Sequence, residues 1–214
     1  MDLASLIAEL PVERRLALAY GAGRARRLTL GLFALDQRLA GVVRQAREPM
    51  LGQLRLAWWR DQLTAPPRDL PAGEPLLELL EQWGEFRAGL AGLVEGWEGL
   101  LGEQPDLAGF AAARGAACAT LARCLDHPEA AESAARAGRD WAIAELPLRL
   151  SNPHERADAE SFATTTGWAK VQLPRVLRPL LVLHGLARRS KGQTELLAGP
   201  GSGLVAARVG LLGF

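Results

Sequence analysis

Apolar residues recur at helical spacing along most of this 214-residue chain. Leu28, Leu32, Leu35, Leu39 and Val42 advance in steps of four and three, which predicts one long amphipathic helix with that stripe turned inward. Gly21 and Gly23 break the pattern before it, and two shorter helices precede them, over 2–10 and 12–20, divided by Pro11. Glu48 and Pro49 open the next helix. Its inward stripe is read as Leu51, Leu54, Trp58 and Leu63, with Arg55, Arg60 and Asp61 on the other face, and it is expected to lie beside the Leu28–Val43 helix as an antiparallel neighbour. The four prolines of 65–75 mark a connecting loop within the domain. Helical patterns resume over 76–83, 86–101, 107–125, 129–150 and 162–186. Within the last, Val171 to Ala187 reads as a core helix kinked by Pro174 and Pro179. A tail over 187–214 completes the chain, and mobility of that tail is one reading left open.

Composition turns this pattern into a fold class. Leu and Ala number 40 and 37, against 11 for Ile and Val together and 7 for Thr, so the side chains that favour a pleated sheet are scarce. An all-α protein is expected, as a single domain over 1–214. Twenty-five basic residues balance 24 acidic ones, which leaves no net field to gather nucleic acid, and none is expected as a partner. Arg outnumbers Lys by 23 to 2, as a GC-rich bacterial genome would produce. Cys118 and Cys124, six apart in a helix, do not face each other and are expected as free thiols. Neither a basic-then-apolar leader nor an uninterrupted apolar run of spanning length is found. The expected location is the cytoplasm, with peripheral membrane contact left open. His127, His154 and His184 stand apart and no CxxC occurs, so local spacing assembles no metal site. No GxSxG elbow or Walker loop is present, and Arg24, Arg26 and Arg27 read as a solvated helix start.

One stretch is more specific. Leu32 to Leu63 reads LFALDQRLAGVVRQAREPMLGQLRLAWWRDQL, with Glu48-Pro49 followed by the tandem Trp58-Trp59-Arg60-Asp61. It resembles the squalene/phytoene synthase family, whose bacterial members pair an LYAF-type helix with an EPLLGEIRLQWWRDAL-type helix. Weaker likeness extends through Ala91–Leu101, Phe110–Ala122, Ala137–Trp141 and Leu173–Leu183, about residues 10 to 185 in all. The resemblance implies an isoprenoid-synthase helical bundle around a deep apolar cavity. It also implies head-to-head condensation of two prenyl diphosphates, with Mg²⁺ held by two aspartate-rich motifs.

Both motifs are degenerate here. The first, placed on Phe33 onward, puts its aspartates at Ala40, Gly41 and Arg44; the second, over 138–153, puts its carboxylates near Arg149 and Pro153. No catalytic residue and no metal ligand is therefore assigned, and no cofactor is expected unless the alternative of an active Mg²⁺-dependent prenyltransferase holds. Asp36, one turn before Ala40, with Asp140 and Glu145, would rebuild one metal site if they converged; ordinary pairing with nearby arginines is the favoured reading of all three. Arg44 could bind a diphosphate through its guanidinium fork without metal, or be solvated. Trp58 and Trp59 cannot both face inward, and Arg55 is spaced to stack on Trp59. Asp36, Arg44, Arg55, Trp59, Asp140 and Glu145 are thus the candidate cavity or ligand-binding residues. The resulting expectation is a lipid- or isoprenoid-binding or assembly protein, similar to the complex I assembly factors of the family, with an apolar lipid or a protein as partner.

Overall fold

In the computed structural model, which describes residues 3–46, 48–102, 104–150, 153–165, 168, 170–190 and 201–212, helix accounts for 82% and no strand is found among the described residues. The α-helices are α1 (Leu3–Ala8), α2 (Val12–Leu18), α3 (Gly23–Gln45), α4 (Pro49–Thr64), α5 (Pro75–Leu80), α6 (Ala91–Glu98), α7 (Leu107–Cys124), α8 (Ala131–Arg149), α9 (Pro153–Thr165), α10 (Arg178–Arg189) and α11 (Ser202–Leu212). A 3₁₀ stretch, Glu81–Leu90, joins α5 to α6 with a kink at Gly84. No helix among the described residues is long and apolar enough to cross a membrane.

The stripe on α3 is buried as its spacing predicts: Leu28, Leu32, Leu35 and Leu39 are fully inside, and Val42 is half-buried. It makes α3 the hub, touching α1, α2, α4, α5, α6 and α7. Helices α7 and α8 share the most extensive packing in the molecule, because small residues let their axes approach closely. A Cβ on Gly138 would lie 2.6 Å from Cys118 Sγ and 3.0 Å from the Arg114 carbonyl oxygen. Buried Arg87 ties the end of α4 to the 3₁₀ stretch, donating from Nε to the Leu63 carbonyl at 3.2 Å and from Nη2 to that of Ala65. A guanidinium at a helix C-terminus satisfies carbonyls that have no intrahelical donor.

Two expectations need correction. On α4 the buried residues are Gly52, Leu56, Trp59 and Leu63, whereas Leu51, Leu54 and Trp58 are exposed. The helix carries two apolar stripes, and the one containing Gly52 wins because a Cβ there would lie 2.9 Å from the Ala46 Cβ and 3.0 Å from Leu101 Cδ1. Helix α4 does contact α3 but packs more extensively on α6. Secondly, the pattern over 162–186 is not one helix: α9 ends at Thr165, 170–174 are non-helical, and α10 begins at Arg178. Pro174 disfavours a helical Leu173 before it, and Pro179 belongs in a first turn. The start of α9 was not legible, since 153–161 is polar and only Ala159 of that helix is buried. Residues 191–200 and 213–214 of the tail lie outside the described residues. Within the remainder, α11 packs on α10 and α2, with Ala206 and Val209 buried.

The close α7–α8 crossing is testable by denaturant unfolding. Gly138→Val is expected to lower stability by about 1–3 kcal/mol through overpacking. Gly41→Ala, inside α3 where a Cβ meets nothing within 4 Å, is expected to raise it by about 0.5–1 kcal/mol.

Candidate functional site

Four ionisable side chains meet in the middle of the bundle, each from a different helix: Arg14 (α2), Asp36 (α3), Arg114 (α7) and Glu145 (α8), none more than 2% exposed. Arg114 forms a fork on Asp36, donating from Nε to Oδ1 at 3.1 Å and from Nη2 to Oδ2 at 2.9 Å, while its Nη1 donates to Glu145 Oε2 at 2.7 Å. Arg14 Nη2 reaches both Glu145 oxygens, at 3.0 and 3.1 Å, and lies 2.8 Å from Asp36 Oδ2. Its Nη1 donates to the Phe33 carbonyl at 3.3 Å. Trp97 of α6 adds its indole N–H to Asp36 Oδ1 at 3.0 Å.

Aromatic rings wall the cluster. The Arg114 guanidinium carbon lies 4.2 Å from the Trp141 ring centroid and 4.6 Å from that of Phe110, and Arg14 approaches Trp141 to 4.9 Å. Spacing delivers these rings: Phe110 precedes Arg114, and Trp141 precedes Glu145, by one helical turn on the same face. Burial alone would lower the Arg14 pKa, but Glu145 and Asp36 outweigh it and hold the guanidinium above its ordinary value. The formal charges cancel, two positive against two negative. Cys118, one turn beyond Arg114, is pushed up to about 12 by burial, with Arg114 opposing and Asp36 reinforcing the shift. It is no nucleophile at neutral pH. Both cysteines are free and buried.

The favoured arginine pairing of Asp36 and Glu145 thus describes what the structure contains, and their partners are Arg14 and Arg114. Asp140 does not join them. It lies buried against His184 of α10, 2.9 Å from Nε2, and fastens α8 to α10. Arg44 is exposed at the mouth of a small cavity of about 60 Å³, whose lining includes Ala40, Trp97, Leu100, Phe110, Arg114 and Leu146. Trp59 is buried and Trp58 exposed, their rings edge to face at 5.0 Å. The cation over Trp59 is Arg38 of α3, at 5.8 Å, and not Arg55. Arg55 points outward instead and lines a separate surface groove; on α4 the turn from Trp59 to Arg55 runs from core to solvent.

Sequence reasoning did not single out Arg14 or Arg114. One signal was present: Arg114 is the lone charge in Phe110–Ala122, otherwise built of Phe, Ala, Gly, Cys, Thr and Leu. A charge inside so apolar a helix is buried and needs partners.

Among the described residues no group of three or more His, Cys, Asp or Glu converges as metal ligands would. The donor chemistry of the cluster does not fit Mg²⁺ either. Every oxygen of Asp36 and Glu145 already faces an arginine N–H, whereas Mg²⁺ demands oxygen ligands in near-octahedral array. Comparison with known proteins finds no matching family model, curated protein or solved structure. The site is therefore interpreted from its own geometry.

Chemically, this geometry pairs each charge of the cluster with an opposite one. Removing one member strands its partners in a low-dielectric interior. Arg114→Met is expected to cost about 3–5 kcal/mol in a denaturant titration, as for a broken buried pair. Arg24→Ala, which breaks the surface pair with Asp126 whose side chains are 52% and 86% exposed, is expected to cost under about 1 kcal/mol.

Proposed function

We propose that this chain is a divergent squalene/phytoene synthase-type bundle that acts as a non-catalytic assembly or scaffold protein. The observation that supports this most directly is the neutralisation of Asp36 and Glu145 by Arg14 and Arg114 at the heart of the bundle. Ionising an allylic diphosphate requires several positive charges free to offset the leaving group, and here both cations of the cluster are committed to carboxylates. Ala40, Gly41 and Arg44, where the resemblance calls for aspartates, add no carboxylate. Those carboxylates are the oxygen ligands by which the family would hold Mg²⁺ against the leaving group.

Cavity size favours a scaffold over a carrier. Pockets that enclose small organic ligands have volumes of about 300–1,000 Å³, and the cavity beside the cluster holds about 60 Å³, too little for a prenyl chain. A carrier reading rests on the apolar lining of that cavity and on Arg44 at its mouth, and it requires α3, α6 and α8 to part.

Incubation of purified protein with farnesyl or geranylgeranyl diphosphate and Mg²⁺, followed by extraction, is expected to yield no hydrocarbon above a protein-free control. Magnesium-dependent product would overturn the proposal. A prenyl diphosphate analogue is expected to leave the melting temperature unchanged; a rise that Arg44→Ala abolishes would favour the carrier.

A further inference from the structure

Helix α11 lies along α10 as an antiparallel partner and turns two leucines and an arginine away from the fold. At one end the Arg189 guanidinium covers Gly201, where a Cβ would come within 2.5 Å of Nη2. In the middle Gly185 lets Val205 and Val209 approach, and at the other end Arg178 Nη1 donates to the Gly210 carbonyl. Ser202, Ala206 and Val209 form the buried side of α11. Leu204 and Leu211 are 74% and 70% exposed, and Arg208 between them is exposed as well. At 100° per residue these three positions fall within about 60° of one another, opposite the buried side.

The charge of this helix pair has one sign. Residues 175–190 and 201–212 hold Arg175, Arg178, Arg188, Arg189 and Arg208 and no Asp or Glu. None of these arginines forms an ion pair with a carboxylate among the described residues. The even balance of the whole chain hides this because acids gather elsewhere: 74–85 carries Glu74, Glu78, Glu81 and Glu85 and no basic residue. Of the acids on the helices packed against α10, Asp140 of α8 is buried on His184, and Glu13 of α2 is half-buried. One surface thus combines arginines that lack a counter-ion with leucines that lack apolar cover.

We infer that α11 docks on an anionic lipid bilayer, lying in the plane of its interface. Leu204 and Leu211 enter the headgroup–acyl boundary, while Arg208 lays its methylene stem between them and keeps its guanidinium among the phosphates. Arg189, at the start of the helix, meets a further headgroup. Charge and apolarity select this occupant together. A second copy presenting the same face would set arginines against arginines. A nucleic acid would answer the arginines but would press phosphates onto two leucines, and the face has no exposed aromatic ring on which bases could stack. An anionic bilayer supplies phosphate and hydrocarbon side by side. This inference does not rest on the scaffold reading.

Vesicle flotation of the full chain at physiological salt tests it. Strong partition is expected onto phosphatidylcholine vesicles containing a third phosphatidylglycerol, and little onto phosphatidylcholine alone. Arg208→Ala is expected to weaken partition about 5-fold, the contribution of one basic residue at an anionic surface. Leu204→Glu is expected to abolish it, while Leu54→Glu, on the exposed side of α4, leaves it unchanged. Equal partition onto both vesicle types would overturn the proposal, as would indifference to Arg208→Ala. An equal loss with Leu54→Glu would move the contact to α4 and contradict docking through α11. Retention on a DNA duplex without vesicle partition would give the face to nucleic acid. Dimerisation that Leu204→Glu abolishes, again without vesicle partition, would give it to a second copy, and either result would overturn docking on lipid.

Discussion

Two arginines and two carboxylates share the centre of this bundle, and the arrangement of the surrounding helices follows from the need to keep them together. Each ion removed from water carries a penalty of several kcal/mol, and that penalty is offset only while all four are in place. Arg14, Asp36, Arg114 and Glu145 come from α2, α3, α7 and α8, and Trp97 ties in α6 through its indole N–H. Apolar side chains would pack those helices without fixing their relative register. The forked Arg114–Asp36 contact imposes one register, because two parallel N–H···O bonds tolerate little sliding.

The same neutralisation bears on chemistry. A divalent cation and a guanidinium compete for the same carboxylate oxygens, and an arginine attached to the chain is present at very high effective concentration. Arg14 and Arg114 occupy the oxygens of Asp36 and Glu145 that a metal would need. The bundle offers a packed interior and, on α4, an exterior with exposed apolar residues and an Arg55 that pairs with no carboxylate among the described residues.

Much of the fold was legible in the sequence, because helical periodicity is a local property. The α3 stripe, the breaks at Pro11 and Gly21–Gly23 and the free cysteines all follow from spacing. Orientation was less legible wherever a helix carries two plausible faces. On α4 the choice depends on Gly52 meeting Ala46 and Leu101, and the approach of residue 101 is not written in 49–64. The non-helical 170–174 segment was foreshadowed by Pro174 and Pro179, whose joint effect ends a helix where a single kink was expected. The candidate site was half visible. Asp36 and Glu145 could be named, but their convergence is a tertiary fact, and Asp140, five residues before Glu145, turns instead to His184. Arginine type says nothing about burial, so Arg14 looked like any surface arginine; only the apolar run around Arg114 held a clue.

A double-mutant cycle between Arg114 and Asp36 addresses the central claim most directly. Stabilities of the wild type, Arg114→Met, Asp36→Asn and the double variant would be measured by denaturant titration. If the buried charges act as one interdependent unit, the double variant is less destabilised than the sum of the singles by about 2–3 kcal/mol, the upper range for residues in one ionic network. Additivity within about 0.5 kcal/mol would show that the two side chains do not depend on each other, and would contradict the account.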